Sequence, residues 1–186
     1  MIVDFARKGP DQWMAVDPAH CIFLFGTVLA RKPHDVLDLG IGTCGYTSRL
    51  ILQALKYNQR GRLTCVDNWL GFGGSEQEVA RVLRSLGAEV VRQAEEDYVK
   101  GCPDDSFDLL VSDADHDRSH LWVKDHMRIT RHDGFMFFHD TNNRLFPNLH
   151  AIESEIKHLP YFHFKESTRP DEECERGWLF AVNKKC

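Results

Sequence analysis

Two short polar stretches contain the residues of this chain that could do chemistry. The first, SDADHDRSH over residues 112–120, places three carboxylates and two imidazoles directly after the apolar run FDLLV. The second, HDTN over residues 139–142, follows another apolar run, GFMFF. Carboxylates beside imidazoles can hold a divalent cation or move protons near neutral pH. Packing gives no reason to collect them at the ends of buried strands, so a metal site or an acid–base site is predicted, with a solvated loop as the alternative.

A third stretch, DLGIGTCGYT over residues 38–47, contains a GxGxxG pattern between a predicted strand and a predicted helix. Glycines permit positive φ angles and close approach of the backbone to a ligand, and a helix N-terminus attracts anions. Asp67 ends the next predicted strand about 22 residues beyond Gly45, near the spacing of a carboxylate that binds ribose hydroxyls. The pattern suits NAD or S-adenosylmethionine. Asp38, two positions before the first glycine, favours S-adenosylmethionine because a carboxylate can hold its cationic methionine end.

The elements that must position these residues alternate between strands and helices. Strands are predicted at residues 35–39, 62–67, 89–93, 107–112, 134–139, 161–165 and 177–183. Helices are predicted from Asp17-Pro18 to about 30, and at 46–58, 75–86, 95–100, 120–130 and 149–159. The alternation predicts βαβ units, and the last two strands lie too close for a crossover helix, so they should form an antiparallel hairpin. The expected fold is α/β: a Rossmann-like, doubly wound, mostly parallel sheet with helices on both faces and a ligand at the carboxyl ends of its strands.

Composition narrows the class of protein. The chain has 186 residues, of which 42% are hydrophobic and 27% charged, and a formal charge of −5 with no basic block. Such a balance disfavours binding to nucleic acid or to a membrane surface. Six cysteines without a CxxC pair suit reduced thiols, and neither an apolar leader nor an 18-residue apolar run occurs. One domain over residues 1–186 and a cytoplasmic location are therefore expected.

Taken together, these motifs resemble the class I S-adenosylmethionine-dependent methyltransferases. The likeness is greatest to the small-molecule O-methyltransferases of the catechol and caffeoyl-CoA kind, and to related short families whose fifth strand ends in HD. It covers about residues 12–182 and rests on DLGIGTCGYT (38–47), VDNW (66–69), FDLLVSDADHD (107–117), GFMFFHDTN (134–142) and WLFAV (178–182). The resemblance implies a seven-stranded sheet with an antiparallel last strand, and methyl transfer to an oxygen of a small-molecule acceptor.

The resemblance also implies roles for individual residues. Cofactor contacts are expected from Asp38, Gly40, Gly42, Thr43, Asp67, Asn68, Trp69, Ala94, Glu95 and Asp113. Catechol-type enzymes bind Mg²⁺ or a similar ion through an Asp that closes the fourth strand and an Asp-Asn pair that closes the fifth. Asp113 and Asp140 match the two Asp positions, and Asn142 is the expected third ligand because Thr141 replaces the paired Asn. His116 stands where the family has its catalytic Lys, so His116 and Asp113 are the expected catalytic residues.

Several alternatives stay open at this point. A metal set of Asp113, His116, His139 and Asp140 would favour Mn²⁺, Fe²⁺ or Zn²⁺ over Mg²⁺. For Asp115 and Asp117 the expected role is a different one, as charges that complement the dipole at the start of the following helix. An NAD(P)-dependent oxidoreductase or a non-catalytic cofactor-binding module would share the fold, whereas the tetrad used to methylate bases is absent. The expected partners are a small-molecule acceptor, with residues 144–148 as a candidate acceptor-facing loop, and a second copy of the chain in a homodimer.

Overall fold

The computed structural model describes residues 18–69, 76–165 and 176–185. Its strands are β1 (Asp35–Leu39), β2 (Arg62–Asp67), β3 (Glu89–Arg92), β4 (Phe107–Ser112), β5 (Thr130–His139), β6 (Tyr161–Phe164) and β7 (Trp178–Val182). Its α-helices are α1 (Pro18–Arg31), α2 (Tyr46–Asn58), α3 (Glu76–Ser85), α4 (Glu95–Gly101), α5 (Val123–Ile129) and α6 (Ala151–Ile156). Two 3₁₀ turns, Ser119–Trp122 and Pro147–His150, precede α5 and α6.

The strands of the described residues form one seven-stranded sheet in the order β3-β2-β1-β4-β5-β7-β6. The first five strands pair in parallel, whereas β7 lies antiparallel to both β5 and β6. The expected fold class and the terminal antiparallel pair are therefore confirmed. In a sheet of this kind the strand order reverses between β1 and β4, and the crevice outside that point is where ligands bind.

The sheet is covered by helices on both faces. Residues of α1, α2 and α3 pack with one set of strand side chains, for example Val36, Leu109 and Phe137. Residues of α4, α5 and α6 pack with the alternate set, which includes Leu37 and Leu110. Successive strand residues point to opposite faces, so strands buried on both sides are mostly apolar. β1 (DVLDL) and β4 (FDLLVS) follow this rule apart from their aspartates and the terminal Ser112. In the described ranges, no helix is both long and apolar enough to cross a bilayer.

Three elements differ by more than one residue from those expected from the sequence. The helix predicted over 120–130 is a 3₁₀ turn followed by the short α5, and the helix predicted over 149–159 likewise divides at Ala151. β5 begins at Thr130 instead of Gly134, with a shift in its pairing to β4 between Phe107 and Leu109. The Asp17 and Ser75 helix starts lie outside the described residues, as do residues 166–175 of the stretch 166–176, which is predicted to be the exposed turn of the terminal hairpin.

An ion-pair network joins the amino ends of the parallel strands, opposite the carboxyl ends where the site is predicted. The Asp35 carboxylate accepts hydrogen bonds from Arg62 at 2.5 Å and from Arg131 at 2.8 Å, and Arg131 also reaches Asp108 at 2.7 Å. These four residues lie on β1, β2, β4 and β5. Burial alone would raise the pKa of Asp35, but hydrogen bonds from the two arginines hold it at about 2.

Asn183 fixes the end of β7 to the neighbouring helix and strand. Its buried side-chain amide donates to the carbonyl oxygens of Met127 at 2.8 Å and Thr130 at 2.6 Å. Its backbone N–H donates to the carbonyl of Gly134. Buried carbonyl oxygens need hydrogen-bond donors, and this one side chain supplies them at the junction between α5 and β5.

Candidate active site

The carboxyl ends of β1, β2, β4 and β5 surround a cavity of about 630 Å³. A volume of this order is typical of sites that hold small molecules. Most of the predicted cofactor residues line it, namely Gly40, Gly42, Thr43, Asp67, Asn68, Ala94, Glu95 and Asp113. Asp38 and Trp69 are the two predicted cofactor residues that do not line the cavity.

The glycine turn, residues 40–45, forms one wall. Gly40 has a φ of 92°, and a Cβ there would lie 2.1 Å from the carbonyl oxygen of Asp113, so this glycine lets the turns after β1 and β4 pack together. Gly42 has a φ of 61°, and a Cβ there would meet nothing within 4 Å. Gly40 thus serves the packing of the turns, whereas Gly42 leaves open space for a ligand. Gly45 begins α2 with no side-chain cap, so the N-terminal N–H groups of a 13-residue helix have no side-chain acceptor from the capping residue.

Asp67 ties the end of β2 to the glycine turn. One carboxylate oxygen accepts from the N–H of Gly42 at 2.9 Å, and the other accepts from the N–H of Trp69 at 2.6 Å. Trp69 has a φ of 51° and is only 5% exposed, and its indole N–H donates to the carbonyl of Gly42. The indole therefore supports the glycine turn from the protein interior, while Asn68 lines the cavity where both residues were expected.

Asp38 is completely buried beneath the same turn. The hydroxyl of Ser48 donates to one of its carboxylate oxygens, and the other oxygen has no partner. Burial is the main cause that raises the pKa of Asp38, to about 7, and the negative charges of Asp113 and Asp67 add to it. A partly ionised, half-satisfied carboxylate in this position is able to respond to a cation that enters the neighbouring cavity.

Four ionisable side chains meet where β4 and β5 end; we call Asp113, His116, His139 and Asp140 the Asp–His cluster. One ligand atom from each of Asp113, His139 and Asp140 lies within 4.8 Å of the others. His139 Nδ1 is 3.1 Å from Asp113 Oδ1, and His116 Nε2 donates to Asp140 Oδ2 at 3.1 Å. The Oδ1 atom of Asp140 is buried without a hydrogen-bond partner and lies 3.7 Å from His139 Nδ1. Asp140 has a left-handed φ of 56° that an aspartate adopts only at some cost.

Electrostatic coupling within the Asp–His cluster is strong. Burial by itself would raise the pKa of Asp113, but the charge of His139 and hydrogen bonds from both imidazoles hold it well below its ordinary value. Burial by itself would lower the pKa of His116, but hydrogen bonds to Asp113 and Asp140 raise it to about 10. With these partners His116 is an imidazolium held between two carboxylates, which is the charge pattern of a cation site.

The structure does not bring Asn142 into the Asp–His cluster. Its side-chain amide donates to the carbonyl of Lys165 at 2.8 Å, and its N–H donates to the carbonyl of Arg176. The left-handed backbone of Asp140 turns the chain, and Asn143 is the asparagine that lines the cavity. Among the residues brought together with Asp113 and Asp140, His139 stands in the place expected for Asn142.

The segment after β5 supplies the apolar side of the cavity. The ring of Phe146 packs on His116, with centroids 4.4 Å apart, and Leu145 beside it is 69% exposed. Both line the cavity and belong to the segment 144–148, whose acceptor-facing role stays a prediction. Arg118 and Arg176 also line it and were not anticipated. Arg118 belongs to the polar stretch 112–120 at the end of β4, which is the sequence signal that could have indicated it.

Comparison with known proteins agrees with the fold and the motifs. The family model described as a methyltransferase domain matches residues 39–141, which is more than half of the chain. The chain therefore belongs to this methyltransferase domain family. No curated protein sequence matches the chain.

Solved structures of methyltransferases share the fold at low sequence identity. The O-methyltransferase TomG of Streptomyces achromogenes, solved with SAM, is 16% identical, with 95% of this chain and 83% of that chain covered and a TM-score of 0.69. An O-methyltransferase of Bacillus cereus, solved with SAH, is 15% identical, with 91% and 82% covered and a TM-score of 0.68. A methyltransferase of Podospora anserina, solved with SAH, is 14% identical, with 96% and 83% covered and a TM-score of 0.71. The resemblance inferred from the sequence is thus confirmed, and the chain is a methyltransferase.

Proposed function

We propose that this enzyme transfers the methyl group of S-adenosylmethionine to an oxygen of a small molecule, with a divalent cation held beside the acceptor. The observation that carries the proposal is that one cavity is bounded on one side by the glycine turn and on another by the Asp–His cluster. The family assignment supports methyl transfer and removes the support for a nicotinamide-dependent oxidoreductase.

The cofactor side of the cavity fits S-adenosylmethionine. Open space above Gly42 admits a ligand close to the backbone, and the uncapped start of α2 favours the carboxylate of its methionine part. The unpaired oxygen of Asp38 lies beneath this turn and can attract the cationic end directly or through water. Asp67 and Asn68 face the cavity at the end of β2, where ribose hydroxyls are bound in this kind of fold.

The Asp–His cluster fits a divalent cation. A buried carboxylate oxygen without a hydrogen-bond donor is costly, and an ion in the cluster would give Oδ1 of Asp140 a partner. Asp113, His139 and Asp140 would hold the ion. Because one of the three ligands is an imidazole nitrogen, the set favours Mn²⁺, Fe²⁺ or Zn²⁺ over the Mg²⁺ expected from oxygen ligands alone.

His116 is the proposed proton acceptor. An ion held by Asp113, His139 and Asp140 would supply Lewis-acid chemistry, lowering the pKa of an acceptor hydroxyl. With Asp113 and Asp140 engaged by the ion, His116 would lose the two carboxylates that raise its pKa, and a neutral imidazole there would accept a proton near pH 7. Phe146 packs on its ring and limits its orientation from the acceptor side.

The acceptor is proposed to be a small molecule, because the described loops around the cavity are short and its acceptor side is a compact wall of Leu145 and Phe146. The formal charge of −5 gives no support to a nucleic-acid substrate. Cys21, Cys44, Cys65 and Cys102 are free thiols, which is compatible with the proposed cytoplasmic location.

Calorimetric titration tests the proposal with S-adenosylmethionine, with NAD, and with Mn²⁺ and Mg²⁺ separately. We expect heat with S-adenosylmethionine and none with NAD; absence of heat with the former refutes the function. Asp140→Asn should abolish Mn²⁺ binding and leave cofactor binding intact.

Asp115→Asn is the matched control for Asp140→Asn. Asp115 also lines the cavity, but its carboxylate accepts from the N–H groups of Asp117 and Arg118, and an asparagine can do the same. Its ion affinity should equal that of the wild type. Equal Mn²⁺ binding by the Asp140 variant, the control and the wild type would exclude the metal site without touching the cofactor site.

A further inference from the structure

The sequence predicts that Glu95 contacts the cofactor, but in the structure its carboxylate accepts hydrogen bonds from residues at and after the end of β4. It is the first residue of α4, directly after β3, and only 6% of it is exposed. Although it reaches the cavity wall, the described residues that donate hydrogen bonds to its carboxylate all lie in residues 112–126, which begin at the last residue of β4. That segment contains Asp113 and His116.

Four donors converge on the two oxygens of this carboxylate. Oε1 accepts from the Ser112 hydroxyl at 3.1 Å and from His126 Nε2 at 3.0 Å. Oε2 accepts from the Ser119 hydroxyl at 2.6 Å and from the Asp115 N–H at 3.3 Å. We call residues 112–119 the β4 loop. Glu95 thus holds the β4 loop at its first residue, in its middle and at its last residue.

The charge of Glu95 is essential to this arrangement. An ionised carboxylate has about four lone-pair sites, and each of them is matched by one donor of the protein. Burial would raise the pKa of Glu95, but the hydrogen bond and charge of His126, with hydrogen bonds from Ser119 and Asp115, lower it. A neutral amide in the same place has a single acceptor oxygen and could not satisfy all four donors.

The number of hydrogen-bond donors on the Glu95 carboxylate also argues against direct contact of Glu95 with the cofactor. A contact with the adenine edge would need a free acceptor site on Glu95, and the four protein donors use those sites. Glu96, the next residue, differs because its carboxylate accepts from the exposed side chains of Lys100 and Arg118.

We propose that Glu95 is a positioning residue whose buried carboxylate holds the β4 loop in the shape that presents Asp113 and His116 to the cation and the acceptor. The inference rests on the proposed function for the identity of what Asp113 and His116 bind. The shape of the loop itself rests only on the hydrogen bonds described above.

The test compares Glu95→Gln with Ser119→Ala, which removes one donor of the β4 loop and leaves the carboxylate in place. Asp97→Asn is the matched control, because it removes an exposed charge from the same helix without touching the loop. For each chain, calorimetry gives the affinities for Mn²⁺ and for S-adenosylmethionine, and hydrogen exchange reports on the amides of residues 113–119.

We expect Glu95→Gln to weaken Mn²⁺ binding by about 10- to 100-fold, the usual effect of losing a residue that orients metal ligands. Ser119→Ala should act in the same direction by less, and both should speed amide exchange in the β4 loop. Affinity for S-adenosylmethionine should not change in either variant, and Asp97→Asn should match the wild type throughout. A residue needed only for folding would lower the melting temperature without separating the two affinities.

Two results would overturn the proposal. One is a loss of S-adenosylmethionine affinity in Glu95→Gln with Mn²⁺ affinity kept, which would make Glu95 a cofactor contact. The other is wild-type exchange in the β4 loop of both variants. If Glu95→Gln does not fold, Ser119→Ala decides the matter alone. A wild type that binds no divalent ion contradicts the proposed function, and the exchange measurement then still decides the role of Glu95.

Discussion

Replacing Asp38 by asparagine should change how the stability of the ligand-free enzyme depends on pH. Asp38 is completely buried, and its pKa is raised to about 7 from an ordinary value of 3.8. Below pH 3.8 the carboxyl is protonated in both the folded and the unfolded chain and has no effect. Between pH 3.8 and pH 7 the unfolded chain releases this proton and the folded chain retains it, so the free energy of unfolding falls as pH rises.

The size of the effect follows from these two pKa values. Each pH unit in that window costs about 1.4 kcal/mol, and the loss stops once the folded carboxyl has ionised. Between pH 5 and pH 8 the wild type should therefore lose about 3 kcal/mol that Asp38→Asn does not lose. The asparagine keeps the shape of the side chain and its contact with Ser48, so the difference between the two chains isolates the charge.

Urea unfolding at pH 5, 6, 7 and 8 in EDTA measures this difference directly. Ser48→Ala is the companion variant, because removing the hydrogen bond that lowers the pKa of Asp38 should extend the pH range over which stability is lost. Parallel pH profiles for the wild type and Asp38→Asn would refute the reasoning. Saturating S-adenosylmethionine should flatten the wild-type profile, because its cationic end favours the ionised carboxylate.

Three further substitutions test other parts of the structure. Asp35→Asn should cost about 2 kcal/mol at pH 7, because the depressed pKa of this carboxyl adds stability above pH 3.8 that is lost as pH falls toward 2. Urea midpoints at pH 7 and pH 2.5 check this pH dependence, and an equal loss of stability at both pH values would contradict it. Asn183→Ala should cost about 2 kcal/mol at every pH by leaving buried carbonyls unpaired, and a melting temperature within error of the wild type would count against that view. Gly40→Ala should prevent folding, because its Cβ meets the backbone of Asp113, and a well-folded variant in circular dichroism would show that the turns are not so closely packed. Gly42→Ala should fold with a loss of about 1 kcal/mol and should bind S-adenosylmethionine more weakly.

The parts of the fold that could be predicted are those set by local pattern. β1, β2, β4 and α2 have the predicted bounds, because each apolar run ends at glycines or charged residues that mark its limits. The terminal hairpin followed from the lack of room for a crossover helix. The early start of β5 could not be foreseen, since residues 131–133 are polar and their strand conformation depends on partners from distant parts of the chain.

The candidate site was predictable to the level of strand ends and no further. Position along the chain placed Asp113, His116 and Asp140 together, because neighbouring parallel strands end at one edge. Whether Asn142 or His139 joins these three residues depends on the left-handed φ of Asp140. That angle is set by the folded turn and could not be predicted from the sequence. The same is true of Trp69, whose left-handed backbone turns its ring under the glycine turn. The individual assignments of cofactor and metal residues, and one domain over residues 1–186, stay predictions.

The place of β7 in the sheet has a consequence for biosynthesis. β5, with the fully buried Met136, Phe137 and Phe138, is covered along one edge by β7, which follows about 40 residues later in the chain. At about 5–20 residues per second, a ribosome takes about 2–8 s to deliver those residues. During that interval the nascent chain exposes an apolar strand edge of the kind that pairs with other chains. The strand that supports His139 and Asp140 is thus completed late, and the end of the sheet that carries the Asp–His cluster should be among the last parts of the enzyme to form.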